Sequence, residues 1–144
     1  TSQPPPCSDI PCPIPLPLSQ EAFWGYVAGL VDAEGCIRIN DRLERLEVLI
    51  GLTHKCVILY LQQYCGIHCT QSTHYPANPR HAPLTTLRFF KEAAGALLEH
   101  LEQFLHVKKA QAKLGMVFNN PRTPLSTRRS MMYGMHQLNK VGIA

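Results

Sequence analysis

Apolar residues from Phe23 to Val31 recur at helical spacing behind Ser19, a good N-cap with Glu21 in the first turn, so a helix is expected over 19–32. Gly35 marks its end. Residues 36–42 and 46–53 read as two strands joined by a short charged turn. Residues 55–64 set Val57, Leu61 and Tyr64 on one helical face, and Gly66 stops that helix. A second strand pair, 67–73 and 84–90, flanks a loop rich in Pro, Asn and His. Ala94, Leu97, Leu98, Leu101, Phe104 and Leu105 make 91–105 an amphipathic helix. A further helix over 108–118 runs into Asn119-Asn120-Pro121, and Ser126 is expected to cap a last one reaching about Asn139. The order α-β-β-α-β-β-α-α-α predicts an α+β domain on a four-stranded antiparallel sheet. Ahead of it, residues 4–17 hold seven of the twelve prolines. That density excludes helix and favours extended polyproline II geometry. Residues 1–18 are therefore expected to be a tail or strap, and 19–144 a single domain.

Composition narrows the class. With 144 residues, 45% hydrophobic and 17% charged, there is material for one sizeable core. No apolar run approaches the ~20 residues that span a bilayer, so no membrane partner is expected. No basic-then-apolar leader opens the chain, so it is not expected to be secreted. The net charge of +4 is unevenly spread: residues 103–144 carry seven of the fourteen basic residues and none of the ten acidic ones. Such a cationic third suits a polyanion, although a solvated basic surface would look the same. Six cysteines raise the question of metal or disulfides. Cys65 and Cys69 with His68, His74 and His81 hold suitable donors, but the spacing matches no recognised zinc pattern. Cys36 and Cys56 lie in apolar segments and read as small buried hydrophobes, reduced by default.

Gly25, Gly29 and Ala33 recur every four residues and share a face of the first helix. Glycine inside a helix costs about 1 kcal/mol relative to Ala, which suggests a gain from close backbone approach. The partner across that face is either a second copy of the helix or the chain's own core. Here the segment Val27-Ala28-Gly29-Leu30-Val31-Asp32-Ala33-Glu34-Gly35 resembles the LAGLIDADG signature, with conservative changes. The αββαββα order over residues 20–120 is that family's core as well. The resemblance implies a homing endonuclease fold with a four-stranded antiparallel saddle over duplex DNA, and a metal-dependent hydrolysis of phosphodiesters on both strands of a long pseudo-palindromic site. Glu34 would be the metal-binding acid, in place of the more usual Asp, with the Ala33 carbonyl a further ligand. Mg²⁺, or another divalent cation such as Mn²⁺, or Ca²⁺ bound non-productively, fits such oxygen donors. Asp32 reads as structural support of the helix end.

One motif per chain supplies one acid, so the resemblance implies a homodimer, with Gly25, Ala28, Gly29 and Asp32 at its interface. Leu105-His106-Val107-Lys108 resembles the segment whose lysine enters the active-site water network, which assigns that role to Lys108; the plainer reading is a solvated lysine. His54 falls where relatives order water, often with Gln, and Ile58 stands where some carry a further basic residue. On the sheet, alternation makes Arg38, Asn40 and Arg42 one set of outward readers, with Ile37 and Ile39 inward. Arg45, Glu47, Gln71, Thr73, Thr86 and Arg88 are the further candidates for DNA contact. The alternatives to an active endonuclease are an intron maturase that binds its host intron RNA and a non-catalytic DNA-binding relative. The compartment implied is the one holding the host intron, an organelle or the prokaryotic cytoplasm.

Overall fold

The computed structural model describes residues 19–142; the expected proline-rich tail and Cys7 and Cys12 lie outside the described residues. The Ser19 hydroxyl accepts from the Ala22 amide at 3.1 Å and starts α1 (Gln20–Glu34). A hairpin of β1 (Gly35–Asn40) and β2 (Arg45–Leu52) follows, then α2 (Lys55–Tyr64), which Gly66 terminates in the left-handed conformation with φ +67°. The second hairpin pairs β3 (Thr70–His74) with β4 (Leu84–Phe90). Then come α3 (Glu92–Leu101), a 3₁₀ turn (Glu102–Phe104), α4 (Lys109–Phe118) and α5 (Leu125–Gly142). All four strands are antiparallel, in the order β1-β2-β4-β3. The expected order of elements is therefore found.

One face of the sheet builds the core. Ile37, Ile39, Leu46, Val48, Ile50, Leu87 and Phe89 are buried together with Phe23, Trp24, Val27 and Val31 of α1 and Leu97, Leu98 and Leu101 of α3. The other face is half-exposed and carries Arg38, Asn40, Arg45, Thr86 and Arg88. β1 is an outer strand, and α5 lies along it: Asn139 Nδ2 donates to the Ile37 carbonyl at 3.0 Å, and His136 Nε2 meets the Asp41 carboxylate at 2.8 Å. An edge acceptor is thus covered rather than left to pair with another chain. No helix among the described residues is long and apolar enough to cross a membrane.

Several expectations shift in detail. α5 begins at Leu125, so Ser126 lies in its first turn; the Pro124 carbonyl instead accepts from Arg128 N at 3.0 Å. β1 ends at Asn40, which leaves Arg42 exposed in the hairpin turn rather than on the strand face. β3 begins at Thr70 rather than at 67, and its register matters more. Gln71 pairs with Leu87 and Thr73 with Thr85, both on the helix side, whereas Thr86 and Arg88 pair with Ser72 and Thr70. Directly opposed residues point the same way, so Gln71 and Thr73 face the helices and Thr70, Ser72 and His74 take the open face. The Thr73 and Thr85 hydroxyls, 3.3 Å apart, mark that inner side. All five residues of β3 are polar, so alternation carried no signal of which way it faces.

Candidate active site and nucleic-acid interface

The end of α1 and the start of α4 are locked by an exchange of charges. Asp32 accepts the backbone amides of His106 (2.8 Å), Val107 (3.1 Å) and Lys108 (2.9 Å), the segment leading into α4. In return, Lys108 Nζ donates to the carbonyls of Val31 (2.9 Å), Asp32 (3.1 Å) and Gly35 (2.8 Å). A helix leaves its first amides and last carbonyls unpaired, and its dipole favours an anion at one end and a cation at the other. Lys108 takes carbonyls at the end of α1, and Asp32 holds the turn into α4 together with its N-cap amide. Asp32 is structural in this arrangement, as expected. Lys108, which the motif assigns to an active-site water network, gives all three of its donors to carbonyls here.

Gly35 is required at this corner for space. A Cβ there would lie 2.7 Å from Val31 Cα and 3.2 Å from the Leu49 carbonyl oxygen. Its φ of −92° is open to any residue, so close approach of α1 to β2, rather than a left-handed turn, demands glycine. Glu34 closes α1, exposed and, among the described residues, without a hydrogen-bond or ion-pair partner. The Ala33 carbonyl is not among those that Lys108 takes.

A cleft of about 420 Å³ opens beside this corner, lined by Asp32, Ala33, Gly35, Lys108, Gln111 and Asn139. Cys36 also lines it; burial pushes its thiol pKa up, against the lowering influence of Arg38 and Lys108, so the thiol is not a ready nucleophile. Gln111 and Asn139 escaped the sequence reading. For Gln111 a signal existed: it shares a helical stripe with Gly115 and Phe118, an odd place for an amide. His54 does not line the cleft; it precedes α2, with Nδ1 3.7 Å from Cys56 Sγ. Oxygen donors at this corner, the free Glu34 carboxylate and a main-chain carbonyl, suit a hard divalent cation, but one chain offers only part of a shell. Among the described residues no group of three or more His, Cys, Asp or Glu converges on a metal position, in the Cys/His segment or elsewhere. Within that segment, burial and the adjoining Cys65 thiol raise the Cys69 pKa to about 12.

The open face of the sheet is organised around a carboxylate. Glu47 is 1% exposed and accepts from Arg38 Nε at 2.8 Å, Arg45 Nε at 2.7 Å and Asn40 Nδ2 at 3.3 Å. Burial alone would raise its pKa, but the hydrogen bonds and charges of Arg45 and Arg38 outweigh that and hold the carboxyl below its ordinary value. Glu47 was expected to read bases; instead both its oxygens are spent on its neighbours. Arg45 is also fixed from the side, its guanidinium 4.0 Å above the Phe90 ring. Arg88 Nε donates to Ser72 Oγ at 3.3 Å across β4 and β3.

Neither a family model nor a curated protein sequence matches the chain. Solved structures do. A crystal structure of the homing endonuclease I-CvuI in complex with its target in the presence of 2 mM Ca superimposes with a TM-score of 0.59 at 23% identity, covering 86% of this chain and 82% of that one. A second, of I-CvuI with the I-CreI target in 2 mM Mg and the DNA not cleaved, gives 0.58 at 22%, with the same coverage. The chain has the LAGLIDADG homing endonuclease fold.

Within that fold the candidate residues separate into two groups. Asp32, Ala33 and Lys108 meet at the cleft; Glu34 is exposed at the end of α1 and is not among the residues lining it. Arg38, Asn40, Arg45, Glu47, Thr86 and Arg88 share the open face. On α1, Gly29 is exposed with open space where a Cβ would stand, and Gly25 approaches only Phe104, at 4.0 Å. Ala28, expected at a dimer interface, is 0% exposed in the chain's own core, and the Asp32 carboxylate is consumed within the chain.

Proposed function

We propose that this chain is a divalent-metal-dependent DNA endonuclease of the homing type, which grips duplex DNA with the open sheet face and hydrolyses phosphodiesters at the Glu34 end of α1. One observation carries the reading: of the two acids in the motif, Asp32 is wholly engaged by the amides of residues 106–108, while Glu34, at the end of α1, is exposed and unpaired among the described residues. A carboxylate held out by a locked helix end is a donor awaiting a ligand. The likeness in fold to I-CvuI, solved with its target, supports DNA as the substrate, as do the arginines on the sheet and the basic C-terminal third.

A bound Mg²⁺ would polarise the phosphate and lower the pKa of an attacking water. The chain's own part is placement: the Asp32–Lys108 exchange fixes where Glu34 stands, and Glu47 fixes where Arg38 and Arg45 stand. Arginine reads guanine through O6 and N7, a contact worth about 1–3 kcal/mol of discrimination. Because each chain brings one free acid and cutting a duplex needs two, the active form is a homodimer. The exposed stripe of α1 through Gly29 and Ala33 is the surface offered for it, with the backbone accessible at Gly29.

The test is incubation with Mg²⁺ and a pool of random duplexes, followed by sequencing of cut ends. Wild type should cut a defined two-fold-related site, and Glu34→Gln should bind the same site uncut. A protein that selects a site and never cuts it, in Mg²⁺ or Mn²⁺, is the non-catalytic relative instead. Sedimentation showing one chain per duplex would defeat the homodimer.

A further inference from the structure

Gln111 is a polar side chain that nothing in the chain uses. It is 4% exposed, lines the cleft with Asp32, Ala33 and Gly35 at the end of α1 and, among the described residues, its amide has no hydrogen-bond partner. Nor is the amide sealed in dry protein; it opens into the cleft. The charged side chains around it are committed. Lys108 Nζ is held by three carbonyls, the Asp32 carboxylate by three amides, and Asn139 Nδ2 by the Ile37 carbonyl. Solvent reaches the amide only through the cleft, so it stands as an unspent donor toward whatever enters there. At about 420 Å³ the space is far larger than the ~30 Å³ share of one water.

We infer that the cleft receives a phosphate of the DNA backbone next to the Glu34 end of α1, and that the Gln111 amide donates to one of its non-bridging oxygens. Lys108 then acts as a positioning residue: it holds the corner and leaves the phosphate contact to Gln111. A neutral donor suits the place, because Asp32 and Lys108 already balance each other's charge there. This inference rests on the endonuclease reading and names the group that touches the backbone.

The experiment uses the full chain and the duplex site it selects. Binding is measured in Ca²⁺ without cutting, and cleavage in Mg²⁺, for wild type, Gln111→Leu and Gln111→Glu. Loss of a hydrogen bond to a charged oxygen should slow cleavage by Gln111→Leu about 10- to 100-fold. Gln111→Glu should be slower still, since its carboxylate repels the phosphate. Single methylphosphonates walked along each strand supply the decisive readout. One position should weaken binding of wild type and add nothing in Gln111→Leu, because the contact has already gone. If Gln111→Leu does not melt within a few degrees of wild type, Gln111→Asn, which keeps the amide on a shorter stem, should lose sensitivity at the same position. Additive effects at every position overturn the inference, and so does full activity in Gln111→Glu, which would mean that the group accepts from water. Wild type cutting its site with Gln111→Leu equally fast defeats this inference alone. A wild type that selects no duplex defeats it together with the endonuclease reading.

Discussion

Asp32 and Glu47 are both carboxylates held by three donors, yet they sit in regions built on different principles. At the α1–α4 corner the partners of Asp32 are main-chain amides and those of Lys108 are main-chain carbonyls, so each bond is tied to the position of a helix. On the sheet the partners of Glu47 are two arginines and an asparagine on long or flexible stems. The corner spends its charged pair, Asp32 and Lys108, on geometry and leaves the Gln111 amide and one acid, Glu34, free. The sheet spends one nitrogen of each arginine on Glu47 and leaves the other nitrogens of both guanidinium groups unspent on it. A site that must place a single group needs rigid backbone anchors. On the endonuclease reading proposed above, a surface that reads bases needs oriented but incompletely used donors.

The sharpest way to break this comparison is Glu34→Gln. Glu34 takes no part in the lock, so the variant should lose roughly a thousandfold in cleavage while its melting temperature and duplex affinity stay near wild type. A comparable fall in affinity would mean that the acid belongs to the binding surface. Asp32→Asn should do the reverse of a clean catalytic loss: it weakens three amide contacts and the charge balance with Lys108. We expect about 2–3 kcal/mol of lost stability in urea denaturation, with cleavage falling in step. Unchanged stability would show that the corner does not depend on the exchange.

Glu47→Gln should cost less stability and instead blur base preference at the positions facing Arg38 and Arg45, by about 1–2 kcal/mol of lost discrimination in site selection. It also carries a pH signature. The folded pKa of Glu47 lies below its ordinary 4.5, so its stabilisation is complete above that value, declines below it and is gone beneath the lowered folded pKa. Thermal melts of wild type should therefore show an acid limb below about pH 4.5 that is shallower in Glu47→Gln. The smallest effect separates the two faces of β3. Ser72→Ala, beside Arg88, should change selectivity by a few tenths of a kcal/mol, and Gln71→Ala should leave it untouched. A larger response at Gln71 would mean that the register of β3 differs from that described.

Wherever apolar residues carried a period, the fold was readable from the amino-acid order. The spacing of Phe23, Val27 and Val31 announced α1, the alternation of Ile37 and Ile39 oriented β1, and the elements follow the predicted order. The reading of Asp32 as support for the helix end likewise matches its three amide bonds. Three things lay outside that reach. β3 has no apolar residue, and only its pairing with β4 settles which of its polar side chains face outward. Glu47 is polar in sequence and buried in fact, because arginines from two strands close over it. Lys108 and Gln111 belong to one helix entrance, and their chemistry is set by residues more than seventy positions earlier. Hydrophobic periodicity is a local property driven by burial, so it can be read along the chain. The state of a polar group depends on which donors and acceptors arrive beside it from elsewhere, and only the tertiary structure decides that.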